Sequence, residues 1–390
     1  MRLTIEKLVY GGDGLARTEQ GVVFVHRAAP GDVLDVEIAE RKSDYAIGRI
    51  RSILEPSQDR QTPSCPNYDA AGCCHWQHIQ YPRQLEIKQE IVRETLRRIG
   101  RMSWDRPIPI ISGPDRRYRF RARFHVRRGE VGFLQERSHT FAPIRSCDAL
   151  TESLNQFVSE APAFLREAKM AGAEEIHAVS GPPTAATFTS ASGRILGRFG
   201  SGNPHIMVNG FTYELNPDAF FQSNQFLLGD FMNEVVALAG PEPGHTLDLF
   251  CGSGFFSIPM ARRAVEVIGV DSNAAGIRQA RINAKLNDVR NAEFFSKDVE
   301  GALRSSDLQP TVVLLNPPRT GCGRQAAERI ADLGARRIVY ASCNPSTFAR
   351  EAEIFVRRGY ACETLIMVDQ FPNTYHIELV AAFIAGPARS

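Results

Sequence analysis

The stretch HTLDLFCGSGFFSIPMA, residues 245–261, decides the fold. A short apolar run ends at Phe250, and Gly252 and Gly254 follow directly before a helix begins. Glycines at such a junction allow a tight turn and let a ligand approach the backbone, although a plain strand-to-helix turn has the same composition. The texture recurs downstream: VEVIGVD (265–271), TVVLLN (311–316) and RIVYAS (337–342) are apolar runs separated by helical stretches. Strands without polar alternation are buried on both faces, so the segments predict a parallel sheet covered by helices on both sides, the doubly wound α/β class. Ligands of such sheets bind at the carboxyl ends of the strands, which makes the residues just after each run the informative ones.

After the second run stands Asp271, 19 residues past Gly252, where an acidic side chain accepts hydrogen bonds from ribose hydroxyls. Position 257 is Ser, so the full dinucleotide fingerprint is missing, and CGSG suits S-adenosylmethionine, which has no pyrophosphate to cradle. The third run ends in LLNPPRTGC (314–322), where two prolines lock the corner after Asn316, either to aim its amide or merely to break the strand. The fourth ends in ASCNPS (341–346), so Asn316 and Cys343 are expected side by side above the sheet. Cys343 is then a nucleophile held within reach of a substrate, or a core thiol that ends a strand. In DQFPNTYHIELVAAF (369–383), His376 and Glu378 fall on one face of an extended segment, and an ionisable group inside an apolar run needs a reason.

Working outward, residues 1–58 alternate in short polar and apolar runs broken by GGDG and APGD, the pattern of a small antiparallel β-barrel. Residues 59–80 are rich in cysteine and turn formers, 81–100 form one amphipathic helix ended by Gly100, and 115–210 return to short strands with a helix near 151–170. The chain of 390 residues is long enough for two or three domains, expected at 1–58, 59–210 and 211–390. Its 46 Lys+Arg balance 44 Asp+Glu to a net charge of +2, so any nucleic-acid surface is a local patch. No apolar run approaches a membrane span and no signal peptide is seen, so a cytoplasmic chain with eight thiols, metal ligands or catalytic cysteines is expected in preference to disulfides.

DLFCGSGFFSIPMA, NPPRTG, ASCNPSTFARE and DQFPNTYHIELV occur in the order, and at roughly the spacings, of the RNA uracil-5-methyltransferases that use S-adenosylmethionine, and the chain resembles that family over nearly its whole length. The resemblance implies a Rossmann-like methyltransferase domain behind a TRAM-type RNA-binding β-barrel and a mixed α+β central domain. It also implies that the helix near 81–112 packs on the catalytic domain. Uracil carbon 5 is a poor nucleophile, so such enzymes first add a cysteine thiolate to carbon 6. By resemblance Cys343 is that nucleophile and Glu378 the base that removes the carbon 5 proton, with His376 either orienting Glu378 or serving as an ordinary strand histidine. Cofactor contacts carry over to Gln222, Phe250, Gly252, Asp271 and Asn316, with Asp298 beside the adenine. Asn316, Phe255 and Asp271 depart from the family's usual Asp, Asn and Glu.

Many members also hold a four-iron, four-sulfur cluster. Cys65, Cys74 and Cys147 match its ligand pattern, Ala71 stands where the second cysteine is expected, and Cys73 is the nearby substitute. A cluster is therefore expected, with zinc or a vestigial turn as alternatives. RNA contact is expected along RRYRFRARFHVRR (116–128), which holds seven arginines and no acid; Arg117, Arg119, Arg121 and Arg123 are candidates for phosphate contact, against a solvated basic edge strand. Ribosomal RNA is favoured over transfer RNA as substrate, and no membrane or obligate protein partner is implied. Two rival functions are a methyltransferase for exocyclic amines and a non-catalytic RNA-binding or folding factor. The first is disfavoured by Arg319 where an aromatic residue normally follows the prolines, the second by the presence of Cys343 and Glu378.

Overall fold

In the computed structural model, which describes residues 1–304 and 309–386, the apolar runs become one eight-stranded sheet. In chain order its strands are β1 (Ile110–Ile111), β2 (His245–Leu249), β3 (Glu266–Asp271), β4 (Ala292–Ser296), β5 (Val312–Leu315), β6 (Arg337–Ser342), β7 (Tyr360–Val368) and β8 (Glu378–Ala385). They lie side by side as β4-β3-β2-β5-β6-β8-β7-β1. The first five of that order are parallel, as buried runs separated by helices require, but β8 inserts antiparallel between β6 and β7. The sheet is therefore mixed, where the alternation of runs predicts a parallel one. The antiparallel insertion brings the start of β8 to the same edge as the end of β6. Leu247, Leu249, Val313, Leu315, Ile338 and Phe383 are all almost completely buried.

The chain forms two compact units. One contains Met1–Glu94, Phe133–Ala142 and Phe371–His376; the other contains the remaining described residues. In the first, six short strands within residues 2–55 form a sheet around Leu3, Ile5, Val23, Val25, Leu34 and Val36. Its neighbours are antiparallel apart from Gly21–Val25 with Tyr45–Glu55. Buried Asp32 closes that sheet by accepting hydrogen bonds from Arg60, Ala29 N–H and Ser57 N–H. The amphipathic helix spans Tyr81–Arg98 and does not continue to 112; the following chain supplies the short edge strand β1.

In the second unit, Arg121–Arg127 pairs antiparallel with Glu175–Val179, which pairs with Ala185–Thr189. Helix Glu152–Glu167 starts at Thr151, whose hydroxyl accepts from Leu154 N–H, a cap that contributes about 1 kcal/mol. Among the described residues no helix is long and apolar enough to cross a membrane.

Candidate functional site

The glycine loop is shaped by its backbone. Phe250, Gly252 and Gly254 all have positive φ, at 63°, 53° and 80°. A side chain at Gly254 would meet both this left-handed backbone and Ala280, 3.3 Å from its Cβ. Asp271, at the end of β3, accepts hydrogen bonds from Gly252 N–H (2.9 Å) through Oδ2 and from Asn273 N–H (2.7 Å) through Oδ1. The carboxylate thus holds the loop and stays half-exposed. Gln222 is buried, and the adjacent Phe220 is 59% exposed while its carbonyl accepts from Ser253 Oγ in the loop (3.1 Å). The sequence did not single out that exposed ring beside the loop. Phe255, the departure from the family pattern, turns inward to an aromatic cluster with Tyr213, Phe221 and Phe256. Asp298 is exposed and caps the short helix Val299–Arg304 by accepting from Gly301 N–H (2.6 Å).

β5 and β6 are parallel neighbours with Leu315 opposite Tyr340, so Asn316 and Cys343 leave the sheet at adjacent strand ends. β6 pairs with β8 with Ser342 opposite Leu379, so the next residue of each strand end, Cys343 and Glu378, lie across from one another. Opposed residues of an antiparallel pair project to one face. Asn344 caps the helix Pro345–Arg357 through Ser346 N–H and donates from Nδ2 to the carbonyl of Arg319 (3.0 Å). Arg319 lies near enough to Cys343 for its charge to favour the thiolate.

Burial pushes the Cys343 thiol up to about 11, the charge of Glu378 adds to the rise, and Arg319 opposes it. Burial likewise pushes Glu378 up to about 8, again opposed by Arg319. At neutral pH the pair rests as a thiol and a carboxylic acid. Asp248, beneath the glycine loop, is pushed up to about 7 by burial, with Ser257 donating to it and Asp271 adding to the rise. The arrangement offers a thiol nucleophile, a carboxyl base opposite it, a cation beside both and a cradle for an adenosine-bearing cofactor.

A family model described as tRNA (Uracil-5-)-methyltransferase matches residues 204–384, and a TRAM domain model matches residues 1–50. The 23S rRNA (uracil(1939)-C(5))-methyltransferase RlmD of Vibrio parahaemolyticus is 31% identical over 418 residues, covering 97% of this chain and 94% of that relative. The chain belongs to the RNA uracil-5-methyltransferase family. The corresponding protein of Pseudomonas putida is 31% identical over 427 residues, 99% of this chain and 94% of its own. The crystal structure of the Pyrococcus abyssi tRNA (uracil-54, C5)-methyltransferase in complex with S-adenosyl-L-homocysteine superposes with a TM-score of 0.78 at 25% identity, covering 98% of this chain and 100% of that one. The protein is an S-adenosylmethionine-dependent RNA uracil-5-methyltransferase.

Two groups of expected site residues in this uracil-5-methyltransferase have surroundings that the sequence does not show. Cys65, Cys73, Cys74 and Cys147 do not form a cluster site: among the described residues no group of three or more His, Cys, Asp or Glu is arranged to hold a metal. Cys65 and Cys74 instead pack with Tyr68 in a small buried cluster that Cys73 flanks. Gln77 accepts from Cys65 N–H and donates to Cys74 Sγ, at 3.1 and 3.9 Å. Ala71, where a second thiolate is expected, is buried in the turn and donates its N–H to Asn67 O. Cys147 belongs to the other unit, where its N–H and carbonyl are both held by the Asn155 amide. The described residues thus lend no support to a four-iron cluster.

The basic strand alternates as foreseen, with Ala122, Phe124 and Val126 buried on one face. The arginines of the other face, however, have protein partners. Arg121 donates to the carbonyls of Asn216 (3.1 Å) and Pro217 (2.7 Å), and burial pushes its guanidinium down to about 10. Arg123 pairs with Glu175, Arg127 with Glu174, and Arg119 Nε donates to Arg121 O. Arg116 and Arg117 remain well exposed at the start of the stretch. Acids that pair with the track come from the neighbouring strand and the residue before it, which are distant in sequence.

Proposed function

We propose that this enzyme methylates carbon 5 of a uridine in 23S ribosomal RNA through a covalent bond between Cys343 and carbon 6 of the base. The observation that carries the reading is the placement of Cys343 opposite Glu378, with Arg319 beside both. Cys343 and Glu378 each release a proton to water, and the Cys343 thiolate attacks carbon 6, which breaks the carbon 5–carbon 6 π bond and makes carbon 5 nucleophilic. Bound S-adenosylmethionine supplies the methyl group. Glu378, as carboxylate, then takes the carbon 5 proton, and the carbon–sulfur bond breaks to return the thiolate. Arg319 stabilises the anionic form of both groups in turn. Gln222, Phe250, Gly252, Asp271 and Asn316 hold the cofactor, with Asp298 at its adenine end. The exposed ring of Phe220 offers a stacking face to a base turned out of the RNA. The N-terminal TRAM domain, with Arg116, Arg117 and Arg119, supplies the RNA contact. Ribosomal RNA is favoured because relatives named for 23S rRNA align with this chain over nearly their whole length at 31% identity. The reaction needs no iron–sulfur cluster.

The deciding experiment incubates the protein and its Cys343→Ala variant with S-adenosylmethionine and RNA containing 5-fluorouridine. Fluorine at carbon 5 does not leave as a proton does, so a denaturation-resistant adduct that requires Cys343 is expected. Methyl transfer to natural RNA without any such adduct would instead indicate chemistry on an exocyclic amine. Parallel assays on 23S rRNA fragments and transfer RNA identify the substrate.

A further inference from the structure

The loop after β5 is held by a buried acid that the proposed chemistry does not use. Glu351 lies on the helix Pro345–Arg357, is 4% exposed and accepts from three donors. Its Oε2 accepts from the Tyr340 hydroxyl (2.6 Å) and from Cys322 Sγ (3.2 Å), and its Oε1 accepts from Gly323 N–H (2.9 Å). Tyr340 sits in β6, three residues before Cys343, while Cys322 and Gly323 end the loop that begins at Asn316. The carboxylate is packed directly on that loop: a Cβ at Gly321, where φ is +81°, would stand 2.1 Å from Glu351 Oε1. Burial and the neighbouring carboxylate push the Cys322 thiol up, so it stays a donor.

One helical turn earlier, Thr347 donates to the carbonyl of Arg319 (3.4 Å), beside the bond from Asn344. Residues four apart share a helix face, so Thr347 and Glu351 grip the loop at two points from one side. The first of those points is Arg319 itself, whose charge bears on Cys343.

We propose that Glu351 is a positioning residue: its carboxylate ties the loop 316–323 to β6 and to the following helix, and so holds Arg319 beside the Cys343 thiol and the Glu378 carboxyl. The inference rests on Cys343 being the nucleophile. The groups that set the thiol's charge are Arg319 and Glu378, together with burial. If the loop slackens, the thiol loses its cation and keeps its acid.

The test uses the full chain with Glu351→Ala, Glu351→Gln and Tyr340→Phe, and follows the pH dependence of Cys343 alkylation by iodoacetamide, located by mass spectrometry. Folding is checked by circular dichroism and melting. Glu351→Ala is expected to slow alkylation about tenfold at pH 8, with the rate regained at higher pH, as withdrawal of a neighbouring cation predicts. Glu351→Gln, which keeps an acceptor for Gly323 N–H, is expected to recover to within about threefold, and Tyr340→Phe to shift the profile less but in the same direction. A folded Glu351→Ala with an unchanged profile overturns the proposal, as does an equal loss in the Gln variant. If Glu351→Ala does not fold, Tyr340→Phe decides, and an unchanged profile there also overturns it. Wild-type protein that forms no 5-fluorouridine adduct removes the nucleophile assignment and this proposal with it, whereas an adduct with unchanged alkylation profiles in the variants overturns the positioning role alone.

Discussion

Glu378 carries its burial as a shifted proton affinity, and that shift has a sign for stability as well as for catalysis. Its folded value near 8 lies above the ordinary 4.5. As pH rises between those values the unfolded chain gives up the proton first, so stability falls through that window. Glu378→Gln should therefore abolish methyl transfer and stabilise the fold at pH 8.5 by roughly 1 to 3 kcal/mol, with little change at pH 4.5, which melting curves at the two pH values check. In the native enzyme the resting thiol and acid make single-turnover methyl transfer rise with pH from 6.5 to 9, and a rate that falls over that interval would contradict the assignment. Asn316→Asp should leave turnover within a few-fold, because Arg319 already answers the local charge; a large gain or complete loss in a turnover assay would give the amide a larger part.

Single strands and loops show what a linear pattern can and cannot carry. The two-residue period of 116–128 correctly told the buried face from the polar one. It did not show that Glu174 and Glu175 stand on or beside the next strand, or that the carbonyls of Asn216 and Pro217 occupy Arg121. Replacing Arg116 and Arg117 by alanine should weaken RNA binding and lower the slope of log affinity against log salt by about one for each phosphate no longer neutralised. Arg121→Ala should leave that slope unchanged and cost stability, since it strands two carbonyls next to the segment that leads to Gln222. The strand ends were legible for a related reason: apolar runs locate them, and the residues that follow must then share one edge. The antiparallel sense of β8 was not, because direction depends on pairing and leaves no trace in a buried run. Nor was Glu351, since the three donors it joins lie up to 29 residues away in the chain.

Across the molecule, the cysteines that a family pattern would join have separate local partners. With Cys65 and Cys74 packed around Tyr68, and Cys147 held by Asn155, anaerobically purified protein should contain less than one iron and one acid-labile sulfide per chain, and iron and sulfide analysis decides this. The other long-range feature is Phe371–His376, which belongs to the N-terminal unit although Gln370 and Ile377 do not. Asn373 accepts from His75 N–H and Trp76 N–H, and its backbone and side chain both bind the Gln84 amide across 289 residues of sequence. Lys88 donates to Phe371 O, and Tyr375 packs on His75 at 4.4 Å between ring centres. On the ribosome, then, the residues near 75–84 wait for residues 289 positions later in the chain. The amides at His75, Trp76 and Gln84 find these partners only after residue 373 has emerged, so a nascent chain completes this unit about 300 residues after it has begun to form it.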